Sequence, residues 1–240
     1  MAEELRLVLI IWIFSSLLIV SAQDDVDFQL WTNYALTVPI KKTPRFTYGG
    51  DVGVRGVFSN QDWNQILVRP TVRWRFDQVW SVSAAVANFT TFNQTEANVY
   101  EYRTHQQVNV RWPDLGWVSF FYRVRLEQRW FFYPDLPDDY KGRFRYLIGL
   151  ETQDFRLGEG KRPFYFRAMW EGFNTLNEEE AAEIFLNNAR LHGAFGHRLS
   201  NAFRYELHFI SQRSRLLVKD GLQATQNIFR IRFFHRLQQN

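Results

Sequence analysis

The chain contains no cysteine, which removes disulfide frameworks, thiol chemistry and a lipid-modified cysteine after an export signal in one step. It is also poor in lysine, for twenty-four of its 29 basic residues are arginine and only five are lysine. Lysine suits solvated surfaces and nucleic-acid tails, whereas arginine keeps its charge and pairs bidentately with carboxylates where water is scarce. The arginines are spread at strand spacing with no basic block and the net charge is only +4, which argues against a nucleic-acid partner. No His or carboxylate pairs fall at metal-ligand spacing, so neither a metal nor another cofactor is expected. Beyond the first twenty residues no segment approaches 18 unbroken apolar residues. A mature chain that crosses a membrane must therefore cross it with strands.

The one apolar run is Leu7 to Val20, shorter than the roughly 20 residues of a spanning helix, and it is followed by Val20-Ser21-Ala22 with small residues at the cleavage positions. Residues 1–22 read as a cleaved signal peptide and 23–240 as one mature domain. Glu3 and Glu4 outweigh Arg6 where positive charge is usual, so a retained N-terminal anchor is the alternative.

What the chain has in quantity is strict two-residue alternation. Tyr100, Tyr102, Val108, Val110 and Trp112 share one face, and Glu101, Arg103, His105, Gln107, Asn109 and Arg111 the other. After a tight turn, Val118, Phe120, Tyr122, Val124, Leu126, Trp130 and Phe132 oppose Ser119, Arg123, Arg125, Glu127 and Arg129. Side chains alternate sides along a strand, so one face is oily and the other charged. Similar segments are Val26–Val38, Arg45–Phe58, Ile66–Phe76, Val79–Asn88, Arg143–Gln153, Phe164–Glu171, Ala189–Phe195, Phe203–Ser211 and Ile228–Leu237. The pattern predicts an all-β chain: an antiparallel up-and-down transmembrane β-barrel of about 10–12 strands, in the bacterial outer membrane, monomeric by default.

Connections separate into a short set (Phe76–Val79, Pro113–Leu115, Arg198–Asn201) and a long polar set (Asn88–Asn98, Tyr133–Gly142, Gly172–Ile184, Gln212–Gln226). Short turns belong inside the cell envelope and long loops outside. Trp74, Phe76, Trp80, Trp112 and Trp117 flank the short turns, as interfacial aromatics do. Two features resist the pattern. Eleven segments is an odd number, which leaves the role of Val26–Val38 open, and Thr104 and Gln106 fall on the oily face, which predicts a bulge or a shifted register.

The runs Glu101-Tyr102-Arg103-Thr104-His105-Gln106-Gln107, Arg123-Val124-Arg125-Leu126-Glu127-Gln128-Arg129 and Phe144-Arg145-Tyr146 resemble a family of exported bacterial proteins catalogued as domain of unknown function 2490. Asn187-Asn188-Ala189-Arg190-Leu191 and the closing Phe229–Leu237 segment are similar to it as well. The resemblance implies an outer-membrane barrel, supplies no catalytic residues, and makes the barrel assembly machinery and outer-membrane lipid expected partners. The chain ends Arg236-Leu237-Gln238-Gln239-Asn240, without the terminal aromatic that many barrels present to that machinery.

The charged face supplies the candidate site: Arg73, Arg75, Glu101, Arg103, His105, Arg123, Arg125, Glu127, Arg129, Arg145, Glu151, Arg204, Glu206 and His208. In a narrow barrel these side chains can pair across strands and fill the interior, giving a structural envelope protein. The excess of arginine over acid equally fits a small anion-favouring channel passing an anionic solute. Two further classes stay open. A soluble exported barrel or sandwich would turn the oily face into a core and the charged face into a binding surface. A membrane-embedded hydrolase could use His105, His192 or His208 as a base, although no serine lies in a nucleophile elbow. The long loops, with acidic Glu178-Glu179-Glu180, offer a surface for an envelope partner. Asn88-Phe89-Thr90 and Asn93-Gln94-Thr95 match the glycosylation pattern, a chance match in a bacterial protein.

Overall fold

The computed structural model describes residues 27–41, 43–57, 63–156, 162–176, 188–215 and 222–237. The expected signal peptide and the Glu178–Glu180 run lie outside the described residues. Eleven strands follow one another: β1 Asp27–Pro39, β2 Phe46–Val57, β3 Trp63–Arg75, β4 Trp80–Asn93, β5 Val99–Arg111, β6 Val118–Phe132, β7 Asp139–Thr152, β8 Phe164–Thr175, β9 Asn188–Arg198, β10 Phe203–Arg215 and β11 Leu222–Arg236. Each pairs with its sequence neighbours, and β1 pairs with β11 to close a single barrel. No helix occurs among the described residues.

The expectation of an antiparallel barrel holds at every join except the closing one. With an odd number of strands the first and last run in the same direction, so β1 and β11 pair in parallel, from Asp27↔Gln226 to Thr37↔Arg236. This also settles the place of the first segment, which is a full member of the wall. The chain therefore enters at one end of the barrel and leaves at the other.

Strand ends were underestimated mostly at one end of the barrel. β4 continues past Asn88 to Asn93, β8 past Glu171 to Thr175 and β10 past Ser211 to Arg215, while β7 and β11 begin earlier, at Asp139 and Leu222. The reason is chemical: the outward positions there include Asn88, Thr90, Gly142, Asn174, Ser211 and Asn227, which break the oily alternation without breaking the backbone ladder. The expected contrast of loop lengths shrinks accordingly. Connections 94–98 and 133–138 are no longer than 112–117, and the longer 153–163 lies at the end assigned to short turns.

Thr104 and Gln106 do not mark a bulge. Pairing runs without a break from Thr91↔Val99 to Trp80↔Val110 on one side of β5 and from Tyr100↔Phe132 to Arg111↔Phe121 on the other. Their polar groups bond along the outer surface instead: Thr104 Oγ1 donates to Gln128 Oε1 (2.8 Å), and Gln128 Nε2 donates to Gln106 Oε1 (3.2 Å). The irregularities lie elsewhere. One is a register shift between Gln212 and Arg213. Another is a gap in the β3–β4 ladder at Arg69 and Pro70, where proline has no N–H to give.

The outer surface is apolar between two aromatic bands. Val86 is 56% exposed and Val54 52%. Near the short-turn end Phe46 stacks on Trp74 at 5.7 Å, and Phe164 on His197 at 4.1 Å. At the opposite end Tyr102 meets Phe132 at 5.6 Å and Trp130 meets Tyr140 at 5.5 Å. Inside, three small apolar clusters interrupt the polar lining: Trp31 with Ile210 and Ile228; Leu67 with Ala87 and Phe89; and Leu147, Met169 and Ala194 against Phe121.

β2 is the thinnest part of the wall. A Cβ on Gly49 would sit 2.0 Å from the Leu36 carbonyl oxygen, and one on Gly50, whose φ is +153°, 2.3 Å from that of Arg69. Glycine here lets β1 and β3 close tightly on β2 beside the parallel seam. Gly49→Ala should therefore push β1 from β2 and cost about 1–3 kcal/mol, as overpacking does. Urea unfolding of the purified protein would measure it, and a variant as stable as the parent would mean that the β1–β2 spacing gives way freely.

Candidate functional site in the barrel lumen

Because β5 to β8 are paired in register with their charged faces inward, each carboxylate on one strand meets guanidinium groups from its own and neighbouring strands. Glu127 on β6 is the hub. It has no exposed surface and accepts from Arg143 (2.6 Å), Arg145 (2.7 Å) and Arg125 (3.2 Å), with Arg103 at 3.7 Å. Arg145 spans from Glu127 to Glu171, 2.8 Å away, and Glu171 also pairs with Arg123. Glu101 holds Arg129 at 2.6 Å and Arg103 at 2.7 Å. Arg125 Nε donates to Gln107 Oε1 at 2.8 Å, which fixes the plane of its guanidinium.

A second network lies towards the short-turn end. Glu151 on β7 takes Arg111 (3.0 Å), Arg167 (3.2 Å) and Arg198 (3.8 Å). Arg167 continues to Glu206 at 3.3 Å, and Glu206, also fully buried, accepts from Tyr165 Oη at 2.7 Å and contacts His208 at 2.9 Å and Arg204 at 3.8 Å. On the far wall Asp51 accepts a two-pronged bond from Arg69, at 2.7 and 2.8 Å. Removing so many charges from water is costly, and only close, multiply bonded pairing offsets it.

Carboxylates do not reach round the whole circumference, and aromatic rings fill the gap. Arg103 lies over Phe89 (4.2 Å), Arg55 between Phe89 (5.3 Å) and Trp31 (4.2 Å), and Arg190 between Trp31 (5.2 Å) and Phe173 (4.8 Å). Arg145 lies over the same Phe173 at 4.6 Å and bonds Glu127, which faces Arg103 again. The result is a closed ring of alternating cations and rings, with one carboxylate, around the lumen. Cation–π contact favours each such pair by roughly 0.5–2 kcal/mol, more where water is excluded.

Of the expected site residues, Glu101, Arg103, Arg123, Arg125, Glu127, Arg129, Arg145, Glu151, Arg204, Glu206 and His208 come together in these two networks. His105 faces inward directly across from Glu127 in register and is buried. Arg73 and Arg75 face inward on β3 but have no carboxylate at pairing distance among the described residues. His192 lies 3.8 Å from Glu171. The sequence reading did not single out Arg55, Asp51, Arg69, Arg143, Arg167, Glu171 or Arg190. Asp51 and Arg55 were visible on the polar face of β2, whereas Glu171 and Arg190 fell at strand ends where face assignment fails. The inward aromatics carry a fainter signal, the doublet Phe120-Phe121, which cannot place both rings on the outer side.

A family model described as Protein of unknown function (DUF2490) matches residues 28–223. The chain belongs to this DUF2490 family. The match runs from β1 to the start of β11 and stops before Phe229–Leu237, which the sequence motifs had included. It takes in both the Glu101-Tyr102-Arg103 and Arg125-Leu126-Glu127 motifs, whose charged members are the lumen pairs. Comparisons with curated proteins and with solved structures give no match.

Glu127→Gln removes the charge that four arginines share while keeping the shape. It should destabilise the barrel by about 3–5 kcal/mol, since it leaves buried cations uncompensated. Trp31→Leu, which takes one ring from both Arg55 and Arg190, should cost less, about 2 kcal/mol from the lost cation–π contacts. Urea midpoints of the two variants would give the order, and an unchanged Glu127→Gln midpoint would reject the hub.

Proposed function

We propose that the chain is an outer-membrane β-barrel protein with a packed, non-conducting lumen, a structural element of the envelope, made with a signal peptide at 1–22 and a mature barrel at 23–240. One observation carries the reading: the outward positions are predominantly apolar between two aromatic bands, while the inward carboxylates Glu127 and Glu206 have almost no exposed surface. A soluble barrel would need the opposite arrangement, with its charge in water and its large apolar side chains enclosed. In a membrane the same arrangement is economical, because lipid covers the apolar band and the interior solvates its own charges. The short-turn end, where the chain finishes, would face the periplasm, and the opposite connections would face outward, where an envelope partner could reach them.

A second reading has its own observation. Arg55, Arg190 and Arg230 are inward on β2, β9 and β11 with no carboxylate at pairing distance among the described residues, and surplus fixed positive charge favours anions in a pore. The buried hub weighs against passage.

Fractionation of the native protein should recover it in the outer membrane, with a gel mobility that changes on boiling. Recovery as a soluble periplasmic protein would turn the assignment inside out. In planar bilayers the purified protein should give no stepwise current. Small anion-selective steps would replace the packed barrel with the channel.

A further inference from the structure

At mid-height the inward Arg125 and Glu127 are buried, whereas at the short-turn end the inward Arg73, Arg75 and Arg236 are exposed, and the inward residues there are of two kinds. One arc is small and hydroxylated. Strand pairing lays Thr37 on β1 beside Gly49 on β2, and Gly49 beside Thr71 on β3, in one lateral row, with Thr47 one inward position nearer the rim. None of these side chains extends far into the barrel. The arc is bordered by arginines at both ends: Arg236 on β11 pairs with Thr37, and Arg73 on β3 pairs with Thr47, with Arg75 at the next inward position. One inward position deeper than Arg236 lies Phe234, paired with Arg204 on β10, and Arg232 follows one position deeper still; the guanidinium groups of Arg204 and Arg232 lie over the Phe234 ring, at 4.2 and 4.6 Å. Arg73 is within electrostatic reach of Arg204 as well as of Arg75.

The acids near this mouth have other partners, and Asp77, in the turn two residues beyond Arg75, accepts from the Val79 and Trp80 amides at 2.7 Å. Asp51 is gripped by Arg69, Glu151 by Arg111 and Arg167, and Glu206 by Arg167, Tyr165 and His208, so its 3.8 Å approach to Arg204 is the weakest of its contacts. Asp154, outside the strands, holds Arg198 at 3.0 Å. Arg73, Arg75, Arg232 and Arg236 have no carboxylate at pairing distance among the described residues. Like charges gathered around an open space repel one another, and arginine does not relieve this by losing a proton. An anion in the space does.

We propose that this mouth is a binding cup for a phosphate monoester group, held by Arg73, Arg75, Arg204, Arg232 and Arg236. A tetrahedral dianion offers acceptors in several directions and matches arginine forks converging from β3, β10 and β11. The small row Thr37–Gly49–Thr71 leaves the room, and the Thr37 and Thr47 hydroxyls add donors. The group can arrive on a small solute or as the headgroup of a membrane lipid reaching over the rim. This goes beyond a packed barrel, since the cup is a blind recess that needs no passage through the lumen.

The test uses the full mature protein in nanodiscs of phosphatidylcholine. Glycerol 3-phosphate is titrated by calorimetry, with glycerol as the uncharged control, and separately phosphatidic acid is added to the nanodisc lipid and its retention on the purified protein measured. The variants are Arg73→Gln and Arg204→Gln, each first checked for the boiling-dependent mobility of a folded barrel. Arg73 is exposed and has no ion pair to lose among the described residues, so that variant keeps the fold. Saturable binding of glycerol 3-phosphate, not of glycerol, that weakens at least tenfold in the folded variants supports the cup with a soluble source. Retention of phosphatidic acid alone, lost in the same variants, supports it with a lipid source. Binding that the variants leave unchanged, or none in either arm, overturns the cup while leaving the barrel assignment intact.

Discussion

A carboxylate without exposed surface, bonded at once to Arg125, Arg143 and Arg145 and facing Arg103, ties β5, β6 and β7 together from the inside. Those strands are already joined by backbone hydrogen bonds, so the carboxylate adds little to their pairing. It makes the charged face tolerable in an enclosed space. Each guanidinium brought inward loses water, and one shared anion restores part of what is lost to several of them. Where anions run out the structure uses quadrupoles, and Trp31, Phe89 and Phe173 each lie beneath two or three arginines. The inward aromatics and the Arg/Glu pairs are thus two answers to one desolvation problem, met on different arcs of the same ring.

The legible parts of the fold were those in which burial differs sharply between the two sides of a strand. β5 and β6 were found nearly residue for residue, because Val108, Val124 and Leu126 face outward and are exposed while Glu101, Arg125 and Glu127 face inward and are buried. The loop-end halves of β4, β8 and β10 were missed because their outward residues are Asn88, Thr90, Asn174 and Ser211. Hydrogen bonding between neighbours, such as Thr90 Oγ1 to Asn88 Oδ1 at 3.1 Å, lets these residues lie on a face that the pattern reserves for apolar ones. At the site, alternation could assign Glu127 to the inner face. It could not say that Arg143, which the register sets directly opposite Glu127, and Arg145, two residues along the same strand, would share that carboxylate, since that depends on how β6 and β7 pair.

An odd number of strands forces the parallel join of β1 to β11, and evenly spaced, slanted parallel bonds are slightly weaker per residue than antiparallel ones. The neighbouring strand β2, with Gly49, Gly50, Gly53 and Gly56, is the richest in glycine, so the wall is drawn tight just beside its least favourable seam. Close approach needs small residues, and small residues leave the lumen unfilled on that side. Closure and the open arc at the short-turn mouth therefore share one cause.

Charge follows the same division. The carboxylates of the two networks lie on β5, β6, β7, β8 and β10, whereas the one acid at an inward position of β1, Asp27, is exposed at the opposite end, the inward positions described on β3, β4 and β11 carry none, and β2 contributes only Asp51, which Arg69 occupies. Across the seam, then, ion pairing cannot do what it does on the opposite wall. Arg230 leans on the His208 ring nitrogen at 2.9 Å, and Arg232 on Phe234, as substitutes for acids that the seam lacks. Adding carboxylates there would neutralise the excess but would fill the space that Thr37 and Gly49 leave. The seam instead keeps the space and the positive charge together, and in such a space a diffusible anion is the one compensating charge that needs no further side chain.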